Sequence, residues 1–121
     1  IYTSLFVGSV KMCIRDRFTG GVQELYTDNI LYVESRKHKS VFFCLESERK
    51  EYQLYEKLDV IEEKLGQYAF LRIHKSYLVN MKHIRKISSY AVILDTGESL
   101  PVPRLKFRAV REAFTAYKGA W

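Results

Sequence analysis

The sequence predicts a mainly β fold with two short helices. Short apolar runs cut by turn residues fill the first half, which is the pattern of a meander of antiparallel strands. The hydrophobic period then changes once, to a helical one, between Leu54 and Leu65. A second helical stripe begins after Arg104. At 121 residues the chain is expected to form one domain around a single core.

Taken in order, Thr19-Gly20-Gly21 signals a turn, and Val22 to Tyr26 is a short strand. Thr27-Asp28-Asn29 turns the chain into the β-rich run Ile30 to Glu34. The segment Ser35 to Ser40 reads as a cationic loop, Val41 to Leu45 as the buried return strand, and Lys50 to Leu54 as the next strand. Leu54, Leu58, Ile61 and Leu65 form one apolar stripe with charges of both signs between them, and Gly66 is the expected stop. This is a packing helix with no basic excess. Phe70 to Ile73 and Tyr77 to Val79 flank the polar tip Arg72-His74-Lys75-Ser76, and a second basic group lies at Lys82, His83, Arg85 and Lys86. Tyr90 to Leu94 and Ser99 to Val102 are expected to pair across a hairpin at Gly97, with Pro101 and Pro103 marking an edge strand or strand end. The last helix places Phe107, Val110, Phe114 and Tyr117 on one face.

The first segment, Ile1 to Arg17, reads as foreign to the rest of the chain, like adapter read-through or a fragment edge. Its apolar start is too short to span a bilayer and its positive charges come after the apolar part, unlike a signal peptide. If it folds, it is expected to add a strand. The domain proper is therefore expected to be residues 18–121.

Composition narrows the chemistry. A net charge of +6 and a pI near 9.3 favour an acidic partner, nucleic acid or an anionic membrane surface. The helix of balanced charge argues against the membrane surface. Cys13 and Cys44 lack C-x-x-C spacing, and Cys44 reads as a small core residue in a reducing, cytoplasmic setting. No phosphate-cradling glycine loop, H-E-x-x-H or nucleophile elbow occurs, and His38, His74 and His83 lack metal-ligand spacing. Neither an enzyme, a cofactor nor a small-molecule substrate is expected. Cationic tips do recur where strands meet loops: Arg36-Lys37-His38-Lys39, His74-Lys75-Ser76, and Arg104 after Pro103. Any one of them alone is a solvated loop. Held to one side by a rigid scaffold, they suit the phosphates and base edges of duplex DNA.

Three ordered blocks carry a resemblance. DNILYVESRKHKSVFFCL (28–45), FLRIHKSYLVNMKHIRKI (70–87) and ILDTGESLPVPR (93–104) resemble, in order, the opening, central and closing motifs of the LytTR DNA-binding domain of bacterial response regulators. Pro103 stands where serine is common in the last motif. The resemblance implies an elongated fold of small antiparallel sheets in a β-β-β arrangement. It further implies sequence-specific binding of double-stranded DNA, with loops entering successive major grooves at promoter direct repeats.

Carried over to this chain, the resemblance implies a base contact from the loop at His38, with Lys37 and Lys39 as close alternatives. Lys75 would touch a phosphate or base edge, Arg104 would be the main base reader of the second groove, and Arg36 and Ser76 would contact the backbone. His74 and Asn80 are expected to hold their turns together instead. It also implies a weak homodimer on DNA and a receiver domain or membrane sensor joined to this module. The rival reading is a non-enzymatic RNA- or protein-interaction β domain using the same basic loops. An RNA binder would show aromatic residues on an open sheet face, whereas Phe42, Phe43, Phe70, Phe107 and Phe114 fall in apolar periodic slots.

Overall fold

The computed structural model describes residues 13–119. Strands β3 (Ile30–Arg36) and β4 (Lys39–Leu45) form the middle of a five-stranded antiparallel sheet. β5 (Arg49–Leu54) flanks β4, while β7 (Tyr77–Asn80) and β6 (Phe70–His74) continue beyond β3. Val41 and Phe43 face one side of the sheet, Phe42 and Cys44 the other, and all four are buried. Burial on both faces explains why these strands read as unbroken apolar runs rather than alternating ones. A register shift between Ile30 and Tyr32 lets Leu31 and Tyr32 serve the same face.

Two apolar layers thus share one sheet, in place of the single core expected. The first lies under α1 (Leu58–Leu65) and a two-stranded ribbon of β1 (Cys13–Phe18) and β2 (Gly21–Tyr26). The second lies under a three-stranded sheet and α2 (Arg104–Gly119), which packs Val110, Phe107 and Phe114 inward. That sheet holds β8 (Ile84–Ser88), β9 (Ala91–Leu94) and β10 (Ser99–Pro101), with β9 in the middle. Pro101 is on an edge strand as expected, and Gly97 takes φ of +93° in the β9–β10 hairpin. Cys44 is fully buried, and burial pushes its thiol pKa up to about 12, which makes it an inert core group.

Several expectations are corrected. The helix begins at Leu58, because Leu54 ends β5, pairing with Ser40 while its side chain joins the α1 layer. Gly66 does not stop the helix with a positive φ; the chain runs on through a 3₁₀ turn, Gly66–Tyr68, and Ala69 takes the left-handed conformation at φ +66°. The basic group around Arg85 and Lys86 lies on a strand, β8, whose outer residues are charged and whose Ile84 is buried. Within the first segment, Cys13 to Arg17 pair with β2, and the reading of residues 1–12 falls outside the described residues.

Candidate nucleic-acid interface

Two tight turns sit side by side at one end of the five-stranded sheet. The cationic loop is shorter than its composition implied: Arg36 and Lys39 pair across the ladder, leaving only Lys37 and His38 in the turn, with Lys37 at φ +52°. In the neighbouring hairpin His74 pairs with Tyr77, leaving Lys75 and Ser76 at the tip. The Ser35 N–H donates to the Ser76 carbonyl at 2.8 Å, so the two turns are fixed to each other. Lys37, His38, Lys75 and Arg72 line, together with the carboxylates Glu56 and Asp59, a shared cleft of about 420 Å³ that reaches the start of α1.

The second tip is braced from inside. The Arg72 guanidinium donates through Nε to the His74 carbonyl at 2.9 Å and through Nη2 to the Lys75 carbonyl at 2.6 Å. Its Nη1 reaches Asp59 and Glu62 on α1, each at 2.8 Å. Arg72 is therefore a brace and not a tip residue, its side chain only 17% exposed. His74 accepts the Ser76 N–H at Nδ1, 3.0 Å away, which is the turn-holding role expected of it. Asn80 is also structural: buried, it donates to the carbonyls of Thr27 and Ile30 and accepts from the Lys82 N–H.

The candidate residues differ in how free they are. Lys37, His38 and Lys75 are exposed, and their side chains have no hydrogen-bond or ion-pair partner among the described residues. Arg36 is paired with Glu34 at 3.2 Å and lies over the Phe43 ring. Lys39 donates to Gln53 at 3.1 Å and lies over the exposed Tyr55 ring. Arg104 belongs to another part of the fold, the first residue of α2, with its guanidinium 5.4 Å from the Tyr90 ring centre. The Pro103 carbonyl accepts the Lys106 N–H at 2.9 Å, so proline serves as the helix lead-in. Sequence reasoning missed Arg72 as a brace and Tyr90 as a ring beneath Arg104, since neither contact has a local spacing that would announce it.

Charge is polarised along the central sheet. At the end opposite the two turns, cations are neutralised: Arg49 pairs with Glu98 at 2.7 Å, Lys82 with Asp28 at 3.0 Å, and Lys50 with Glu46 at 3.8 Å. Glu98 also accepts from Tyr32 and Thr96. Burial pushes the Glu98 carboxyl up, but hydrogen bonds from Arg49, Thr96 and Tyr32 outweigh it and hold the group below its ordinary value. At the turn end Arg36 and Arg72 are ion-paired as well, while Lys37 and Lys75 have no ion pair among the described residues. Among the described residues no cluster of His, Cys, Asp and Glu could hold a metal ion, and no helix is long and apolar enough to cross a membrane.

A family model described as the LytTr DNA-binding domain matches residues 21–115. The sensory transduction protein LytT of Bacillus cereus is 36% identical over 61 residues, 46% of this chain and 25% of that protein. The transcriptional regulatory protein LytR of Staphylococcus aureus is 38% identical over 58 residues, 44% of this chain and 24% of that protein. The chain thus spans about a quarter of the length of these curated relatives. A solved LytTr DNA-binding domain, from a Bacillus cereus protein assigned as a methyl-accepting/DNA response regulator, matches with a TM-score of 0.70. It is 23% identical, and the match covers 86% of this chain and 97% of that one, a likeness of fold.

Proposed function

This chain belongs to the LytTr DNA-binding domain family, and we propose that it binds double-stranded DNA sequence-specifically as the output domain of a bacterial transcriptional regulator. The observation that carries the proposal is the pair of adjoining turns whose side chains Lys37, His38 and Lys75 are exposed and without partners among the described residues. In this reading His38 contacts a base from the first turn, with Lys37 and Lys39 as alternatives, and Lys75 contacts a phosphate or base edge of the same groove. Arg36 and Ser76 contact the DNA backbone, and Arg104 reads bases in a second major groove. Phosphate contacts set the register, and the few side chains that reach base edges set the sequence.

Engagement of two successive major grooves fits a site made of direct repeats, on which two copies associate weakly. The regulatory part is a receiver domain or membrane sensor joined to this module, in a protein working in the cytoplasm. Burial of Phe42, Phe43 and Phe70 favours duplex DNA over the RNA- or protein-binding alternative, because these rings are not available as a stacking platform. The test is selection from random duplexes combined with a salt titration, comparing wild type with Arg104→Ala. The expected outcome is a repeated motif that Arg104→Ala blurs at particular bases while the salt slope changes little. Absence of any enriched motif, with equal salt dependence for both proteins, would sink the proposal and leave a plain electrostatic surface.

A further inference from the structure

We infer that Tyr90 is a positioning residue for Arg104, a ring held in a strained turn so that the guanidinium is presented in a fixed orientation. The inference rests on the reading of Arg104 as a base-contacting residue. Three observations meet at this point. Ser88 pairs with Ala91, so β8 and β9 are joined by Ser89 and Tyr90 alone, and these take φ of +52° and +58°. Glycine or asparagine commonly occupies such positions, because a Cβ is unfavourable there. Non-glycine residues persist in this region only where their surroundings over-determine them.

The surroundings of Tyr90 do so from both sides. Its carbonyl accepts the Val102 N–H at 2.9 Å, tying the turn to the segment that leads into α2. Its ring lies 4.8 Å from the Phe107 ring and 5.4 Å from the Arg104 guanidinium carbon. Backbone and side chain thus grip the chain on either side of Pro103, at Val102 before it and at Arg104 after it. A glycine would make this turn at lower conformational cost but would supply no ring.

The chemistry explains why a ring is useful. Arg104 is the first residue of α2 and is exposed, so an unsupported side chain there would sample many rotamers. A π face attracts the guanidinium and restricts its plane without satisfying its N–H donors. Bidentate donation to guanine O6 and N7 needs that plane defined and those donors free. A carboxylate partner would fix the side chain equally well but would occupy the donors. The phenol hydroxyl is not required by this arrangement, so phenylalanine should serve in its place.

The experiment compares wild type, Arg104→Ala, Tyr90→Gly, Tyr90→Phe and the Arg104→Ala/Tyr90→Gly double variant by selection from random duplexes and by salt titration, with thermal melting of each. Tyr90→Asn, which also tolerates positive φ, replaces Tyr90→Gly should that variant fail to fold. The expected result is that Tyr90→Gly weakens discrimination roughly 3- to 10-fold at the base positions that Arg104→Ala blurs, and at no others. Its salt slope stays at the wild-type value, Tyr90→Phe restores discrimination, and the double variant is no worse at those positions than Arg104→Ala. Should Arg104→Ala blur defined bases while Tyr90→Gly leaves them sharp, the inference falls and the reading of Arg104 stands. A uniform loss at every position on removing the ring also overturns it, as a general structural effect. If Arg104→Ala alters no base preference, the reading of Arg104 fails and the inference with it.

Discussion

Arg72 and Asn80 illustrate how single side chains hold the turn end and the far end of the sheet in shape. Arg72 joins two carbonyls of one turn to two carboxylates of α1, so it substitutes for a longer packed element. Asp59 and Glu62 are substantially exposed, which discounts the ionic part, and the carbonyl bonds dominate. Arg72→Ala should cost about 2 kcal/mol in urea unfolding, whereas Lys75→Ala at the tip should change stability by less than about 0.5 kcal/mol. Asn80→Ala removes a donor from the carbonyls of Thr27, which keeps the Ile30 N–H, and of Ile30, and an acceptor from the Lys82 N–H, for an expected loss of about 2 kcal/mol by the same measurement. Both residues stand inside the basic motif, residues 70–87, from which the candidate site was read. The residue types do not show which cations are spent on structure. Lys37 and Arg36 are neighbours in sequence, yet Arg36 has Glu34 and Phe43 as partners and Lys37 has none among the described residues. Such differences are set by strand direction and turn length, which local composition does not encode.

At the scale of elements, strands were legible wherever a run was apolar and bounded by turn residues, as for β4 and β7. β8 was hidden because its adjacent charges, Arg85 and Lys86, break the apolar alternation of a strand, and because it pairs along one side only. The start of α1 was misplaced because Leu54 keeps the helical spacing while serving the same layer from a strand. Neither error affects which face is buried, since period and burial agree at Leu58, Ile61 and Leu65. What the sequence cannot display is how separate sheets are joined. Here Arg49, at the start of β5, grips Glu98 in the β9–β10 hairpin through two bonds of 2.7 Å, with Tyr32 of β3 completing the group. Because the Glu98 carboxyl sits below its ordinary value of 4.5 when folded, its contribution is present above that pH. It is lost as pH falls through the folded value. Stability measured by urea titration should therefore drop below pH 4.5 in wild type more steeply than in Glu98→Gln. At neutral pH Glu98→Gln should cost no more than about 1 kcal/mol, because both partners are partly exposed. An unchanged acid slope in the variant would assign the linkage to other carboxylates, with Asp16, which Lys64 holds down, the next to examine.

For the whole molecule, the relevant quantity is the distribution of charge rather than the total of +6. At the far end Arg49, Lys50 and Lys82 are ion-paired, while Lys37 and Lys75 at the other have no ion pair among the described residues. Counterion release counts only cations that reach phosphates, each contributing about 0.9 to the slope of log affinity against log salt. Lys75→Ala and Lys37→Ala should each lower that slope by up to about 0.9 if they contact phosphate. Lys82→Ala removes the same formal charge and should leave the slope unchanged within error. The comparison separates a polarised interface from a generally basic surface, because net charge is identical in all three variants. Equal slopes in the three variants would mean that the duplex senses only total charge, and the two turns would lose their claim to be the contact face. A fall confined to Lys37→Ala and Lys75→Ala would fix the orientation of the central sheet against the duplex, with its turn end toward the grooves. Arg104 would then have to reach its groove from the start of α2 in that same orientation, which constrains the spacing of the repeats that the domain can recognise.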